Sequence, residues 1–432
     1  MSANLSRTEG DPVEGAASDA SAAEGAVTVV DPRLLVRQQG FKGYLDDFGR
    51  KLRSGELGSL PVVIGLIIIA LVFQFQDTRF LGAQNLNNLF VDATGTGLIA
   101  VGIVFVLILG EIDLSVGSVS GLASAVFAVL NVNHGMPEWE ALILAVLSGA
   151  LVGAFHGFFF ARIGVPAFVV TLAGLLGWNG LMLQILGSNG TINLDADGLL
   201  SQLTNYYFSD VAVAYGVALL AVVAFFGLSF LDSRRREAAG VPSRPLSEIV
   251  LRTVFVAVPA FLIAWLFNNF KGLPLAVVIF LAFVIGLDFV LRRTSYGRKV
   301  FALGGSVEAA RRAGINVIAI RISVFALAGT MAALGGLFLA SQLNAANQSS
   351  GAGSLLMNAI AAAVIGGTSL FGGRGKTWSA LLGVLVIQAI ASGMALLGIA
   401  AAVQQMITGA VLLAAVVIDS VSRKTQKTAG RA

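Results

Sequence analysis

Two carboxylates, Glu111 and Asp113, stand two residues apart in GEIDLSVGS (110–118), with Ser115 just after them, inside an otherwise apolar stretch. A charged side chain at the centre of a bilayer-spanning helix costs about 2.5–3.5 kcal/mol on insertion scales. Such acids therefore reach an aqueous interface or line a wet cavity beside a broken helix. A carboxylate beside a hydroxyl suits sugar hydroxyls, which both donate and accept hydrogen bonds. The plainer alternative is a short cytoplasmic turn in which the acids cap the next helix. A second glycine-interrupted stretch, GGTSLFGGRGKT (366–377), repeats part of the pattern: Gly110, Leu114 and Gly117 align with Gly366, Leu370 and Gly373, with Gly367 and Ser369 in place of the acids. Such a pair fits related broken helices from two halves of a membrane transport domain. Its GKT ending is not a phosphate loop, because Leu370 stands where the first glycine of GxxxxGK[ST] belongs and an apolar span, not a strand, precedes it.

A basic, polar segment, RRTSYGRKVFALGGSVEAARRAGI (292–315), interrupts the second half of the chain between two hydrophobic runs. Ser306 is placed to cap a short helix with Glu308 in its first turn and Gly314 at its end. Glu308 and Arg312 are spaced i,i+4 with the acid first, and Arg311 adds a second cation. Val307, Ala310 and Gly314 share an opposite face of small residues, expected to lie flat against a partner protein. The alternative is a solvated loop whose charge only sets topology.

Neutral polar residues are scattered in or near the apolar runs: Thr171, Asn179, Gln184, Asn358, Thr368, Ser369, Gln388 and Ser392. Each is a candidate for lining a path taken by a polyol and equally a candidate interhelical hydrogen bond. Gly149, Gly153 and Gly157 form a ridge of spacing four, read as a close helix contact, with His156 beside it as a hydrogen-bonding residue between helices.

These groups must be positioned by membrane helices. Of 432 residues, 56% are hydrophobic and 12% charged, and the mean hydropathy is +0.85. That is an all-α polytopic membrane composition. There is no cysteine and only two histidines, His134 and His156, so disulfides, thiolate chemistry and an imidazole zinc site are excluded. The net charge of +4 reflects basic residues between spans and does not point to nucleic acid. Apolar runs of about 17–25 residues give about twelve candidate spans, near 57–75, 94–110, 116–132, 140–161, 166–187, 210–231, 248–268, 273–291, 318–340, 354–371, 378–397 and 402–419. Lys and Arg fall almost wholly in the even-numbered connections and the termini, at Arg162, Arg234–Arg236, Arg244, 292–312, Arg374 and Lys376; the odd connections hold little beyond Arg79 and Lys271. The positive-inside rule then places both termini in the cytoplasm. Residues 1–56 read as a cytoplasmic, partly disordered tail, 57–422 as the membrane domain and 423–432 as a second cytoplasmic tail.

Four segments, GEIDLSVGSVSGL (110–122), GVPAFVVTLAGLLGWNG (164–180), GRKVFALGGSVEAARRAGINV (297–317) and AIAAAVIGGTSLFGGRG (359–375), resemble the membrane-spanning permeases of bacterial sugar importers of the ATP-binding cassette type, the ribose and xylose class. The resemblance covers about 57–422, and an additional pair of spans at about 230–291 is more similar to xylose permeases than to the shorter ribose type. It implies a ten-helix core plus that pair, in the bacterial inner membrane. It also implies a homodimer, two cytoplasmic ATPase subunits that carry the ATP and magnesium, and a periplasmic sugar-binding protein. On that reading the chain holds no cofactor or catalytic residue of its own. Val307, Glu308, Ala310, Arg311, Arg312 and Gly314 belong to a coupling helix (306–314), and Glu111, Asp113, Ser115, Thr171, Asn179, Asn358, Thr368 and Ser369 to the translocation path. A rival reading is an ion-coupled secondary sugar carrier of twelve spans; it needs a buried ionisable group, for which Asp288, one turn from Arg292, is the further candidate. An intramembrane hydrolase lacks a paired catalytic constellation.

Overall fold

The computed structural model describes residues 60–188, 190–241 and 243–428, with backbone alone at 415, 418, 419 and 421–428. The expected N-terminal tail lies outside the described residues. Helices dominate: α1 (Leu60–Gln76), α2 (Ala83–Ile108), α3 (Val116–Ala128), α4 (Glu138–Phe158), α5 (Ala167–Leu186), α6 (Leu199–Asn205), α7 (Val211–Ala238), α8 (Leu246–Asn268) and α9 (Leu275–Arg293) come first. Then follow α10 (Ser295–Gly305), α11 (Val307–Arg312), α12 (Val317–Leu343), α13 (Leu355–Ile365), α14 (Thr377–Leu396) and α15 (Ala401–Thr428). One wide π turn extends each of α3 and α4, at Val129–Asn133 and Phe159–Ile163. Among the described residues nine helices are long and apolar enough to cross a membrane, and three shorter apolar helices accompany them. The expected span at 94–110 is part of a longer helix that begins at Ala83, the span at 354–371 contains only an eleven-residue helix, and the last helix runs on through the start of the expected C-terminal tail.

Glycines make the tightest helix contacts, large side chains such as Phe105, Phe127 and Phe325 fill the core, and many other large apolar residues face outward. Leu151, Leu176, Leu220, Leu228 and Phe255 are all exposed, as a surface solvated by lipid tails requires. At the centre, α2 is buried along nearly its whole apolar length, and α12 packs extensively on α4, α2 and α3. The α4 contact is the glycine ridge read from the sequence: a Cβ on Gly153 would lie 2.1 Å from the Phe325 carbonyl oxygen, and one on Gly329 would lie 2.1 Å from that of Gly149. Only glycine lets the two backbones approach this closely. By contrast α7 and α8 pack mainly on each other and reach the rest through a small cluster that includes Ala214, Ala264, Phe267 and Val277.

Two short antiparallel ribbons gather connections at one end of the bundle. Strand β1 (Thr191–Asn193) pairs with β4 (Ala345–Asn347), Ile192 opposite Ala346, and β2 (Tyr207–Phe208) pairs with β3 (Leu273–Pro274). Beside them Thr204 and Ser341 share a hydroxyl–hydroxyl bond of 2.7 Å between α6 and α12. At the opposite end meet the turn after α2, the α10–α11 segment and the loop after α13, the region where the sequence concentrates its charge.

Candidate functional site

The turn between α2 and α3 is made by Gly110, whose φ of +81° lies in the left-handed region. Beyond it Asp113 is almost fully buried, and its Oδ1 accepts both the Ser115 main-chain N–H at 2.8 Å and the Ser115 hydroxyl at 2.6 Å. The chain of bonds continues across to α4 and α5. Ser115 Oγ lies 3.2 Å from His156 Nδ1, and the Trp178 indole Nε1–H donates to His156 Nε2 at 2.8 Å. An indole only donates, so His156 Nε2 is the acceptor and Nδ1 carries the hydrogen toward Ser115, whose own hydrogen goes to Asp113. Every donor has a fixed direction, ending on a carboxylate. Asp113 Oδ1 and the Ser115 hydroxyl are thus bonded to each other and, through Ser115, to His156. Thr171 is likewise turned inward, its hydroxyl donating to Ala167 O at 3.0 Å on its own helix.

Glu111 is half buried on the same turn. Burial pushes its carboxyl above the ordinary range, and the positive charge of Arg321 acts against that. Arg321, in the second turn of α12, also sits 4.3 Å from the Phe160 ring centroid. The sequence reading passed over it because it lies inside an apolar run. Asp92 was missed for a related reason: it lies in the first half of α2, ahead of the apolar window at 94–110. It shares an exposed stripe of spacing four with Gln84 and Asn88.

The second glycine stretch lies against the first. Gly373 N–H donates to Ile108 O at 2.8 Å, and a Cβ on Gly372 would lie 3.1 Å from Gly110 N. Ser369 Oγ accepts the Phe371 N–H at 3.0 Å, while the Thr368 hydroxyl is buried with no protein partner. Thr377, the last residue of the GKT ending, donates its hydroxyl to Val284 O at 2.8 Å, which leaves it no role at a phosphate. Asn358 reaches only Ser354 on its own helix, and Asn179 lies further along α5, so these two are not brought into the group around Gly110.

The α10–α11 segment has the local structure that its residues dictate. Ser306 Oγ accepts the Ala309 N–H at 3.2 Å, Arg312 Nε donates to Glu308 at 3.2 Å, and Gly314 ends the helix at φ +76°. One expectation is reversed. Ala310 is 2% exposed and Val307 packs on the main core, so these two small residues point into the protein, while Gly314 stays exposed. The outer face is Glu308, Ala309, Arg311 and Arg312, with Glu308 and Arg312 side chains 62% and 79% exposed. The reason is local packing: α11 is clamped between α10 and α12, and a methyl fills that gap where a long side chain would not.

A cavity of about 430 Å³ opens between α4 and α5, walled by Phe155, Phe159, Val169 and Ala173, with His156 and Trp178 at its margin. Those two polar groups are already bonded to each other, so the cavity offers a polyol no free partner. Among the described residues no group of three or more acidic or imidazole side chains is placed to hold a metal ion.

A family model described as branched-chain amino acid transport system / permease component matches residues 85–416. The chain is 37% identical over 374 residues to the xylose transport system permease protein of Escherichia coli, covering 86% of this chain and 94% of that protein. It is 36% identical to the xylose transport system permease protein of Haemophilus influenzae, over 85% of this chain and 98% of the relative. With the ribose import permease protein of Bacillus subtilis the identity is 32%, over 85% and 94% of the two chains. No solved structure matches the chain.

Proposed function

The chain belongs to the branched-chain amino acid transport system / permease component family, and from that membership we propose that it is the membrane-spanning subunit of an ATP-driven importer that brings xylose or a related monosaccharide across the bacterial inner membrane. Two copies pair, two cytoplasmic ATPase subunits bind ATP and magnesium, and a periplasmic binding protein delivers the sugar. About twelve spans, with both termini in the cytoplasm, accommodate the charge distribution. The permease makes and breaks no covalent bond. It offers a weakly polar route whose two openings alternate as the ATPase shifts the balance between two packings.

The observation that carries this reading is α11, a capped helix of six residues whose inner face is clamped by Ala310 and whose outer face is a cluster of exposed charge at the end of the bundle where the glycine turns meet. It fits a groove in a soluble neighbour, through which force from outside the bilayer enters a rigid part of the chain. The exposed Glu308–Arg312 pair contributes only about 0.3–0.5 kcal/mol to folding, so its replacement leaves the fold intact. In proteoliposomes holding the whole assembly, Glu308→Lys with Arg312→Glu is expected to insert normally, lose ATPase co-purification and lose sugar uptake. Unchanged uptake in that variant refutes the coupling role, and uptake by the permease alone on an ion gradient refutes the importer. Family membership displaces the secondary-carrier reading, so Asp92 and Asp288 need no role in ion coupling; Asp288 is paired with Arg292 at 2.9 Å.

A further inference from the structure

We propose that Gly304, Gly110 and Gly372 form a joint without side chains that carries movement of α11 into both interrupted spans as one rigid piece. This rests on the coupling reading of α11. Gly304 lies two residues before Ser306, the cap of α11. A Cβ there would lie 1.8 Å from Ile108 O and 2.9 Å from Gly373 N. One on Gly372 would lie 2.8 Å from Gly304 O and 3.1 Å from Gly110 N. Three main chains, from the α2–α3 turn, the end of α10 and the loop between α13 and α14, therefore touch one another directly. The left-handed φ values of Gly110, Gly372 and Gly373, +81°, +84° and +73°, hold two of the three in the turns that allow this contact.

A contact between side chains absorbs a displacement by changing rotamer. Backbone seated on backbone has no such slack, so a shift of one partner moves the others. The α10–α11 unit is held firmly enough to push: Val300, Leu303 and Ala310 are buried, and the Tyr296 hydroxyl lies 2.9 Å from Ser323 Oγ on α12. Downstream of the joint, residues 113–115 lead into α3 and carry the bonded chain to His156, while 374–376 lead into α14. One helix outside the bilayer thus addresses two segments within it.

The full assembly with its ATPase and binding protein, reconstituted in proteoliposomes, gives the test. Gly304→Ala and Gly372→Ala are expected to keep the ATPase bound and hydrolysing ATP while sugar uptake falls tenfold or more. Gly305→Ala, whose Cβ would have nothing within 4 Å, serves as the neighbouring control and behaves as the parent. Wild-type uptake by Gly304→Ala overturns the joint. A second measurement does not depend on tolerating that clash: in the unmodified assembly the Gly373 amide, bonded to Ile108 O at 2.8 Å, is expected to stay equally protected from hydrogen exchange with and without ATP. Loss of that protection on ATP binding overturns the proposal. Failure of the underlying coupling reading shows separately, as full ATPase binding and uptake in the Glu308→Lys, Arg312→Glu assembly whatever the joint variants do.

Discussion

The chain from Trp178 through His156 and Ser115 to Asp113 makes a quantitative demand on stability. Ser115→Ala removes the 2.6 Å bond from the hydroxyl to the buried carboxylate, and a hydrogen bond to a charged group contributes about 1.5–3 kcal/mol. It also takes the acceptor from His156 Nδ1–H, and stranding a buried donor costs about 1–3 kcal/mol more. Asp113 keeps the Ser115 main-chain N–H, which softens the loss, and a net cost of about 3 kcal/mol follows, roughly a hundredfold in the unfolding equilibrium. His156→Phe leaves Ser115 bonded to Asp113 but strands the half-buried Trp178 indole, for about 1–2 kcal/mol. Because both changes remove the same Ser115–His156 contact, the double variant should be less destabilised than the sum by about 1 kcal/mol. Equilibrium unfolding of the purified protein by SDS in mixed micelles measures all three, and Trp178 emission reports the loss of its partner in His156→Phe alone. Additive losses, or a Ser115→Ala cost below about 0.5 kcal/mol, refute the connected chain.

Gly153→Val drives a side chain into the Phe325 carbonyl and should cost more than about 3 kcal/mol, seen as loss of folded protein in detergent, whereas Gly216→Ala, with open space around its Cβ, should be neutral. Glu111 has a raised folded pKa, so the unfolded chain deprotonates first and stability falls as pH rises above the unfolded value; Glu111→Gln should flatten that fall, and thermal unfolding between pH 4 and 8 reads it. Thr377→Val deletes the bond to Val284 O and should cost about 1 kcal/mol in the same SDS titration, without any change in nucleotide binding by the isolated permease.

What could be read from the sequence was what neighbouring residues determine. The Ser306 cap, the Glu308–Arg312 pair and the Gly314 stop are local, and all three are present. The glycine ridge on α4 was legible because spacing four puts small residues on one face whatever they meet. The inward sense of Ala310 was not, since a six-residue helix has two faces and only α10 and α12 decide which is covered. The meeting of Gly110 with Gly372 joins residues far apart in sequence through main chain, which leaves no side-chain pattern to find; Gly304 drew no attention for the same reason. Asp92 was lost at a boundary because hydropathy marks the oily part of α2, while the helix begins eleven residues earlier than the apolar window, at Ala83.

The β1–β4 ribbon ties the segment after α5 to the segment after α12, while Gly373 on Ile108 ties the two ends of the chain's halves at the opposite rim. A frame riveted at top and bottom can lean or bow, but it cannot part along its own middle. Any movement that opens the bundle therefore tilts or bends its halves together and does not peel them apart.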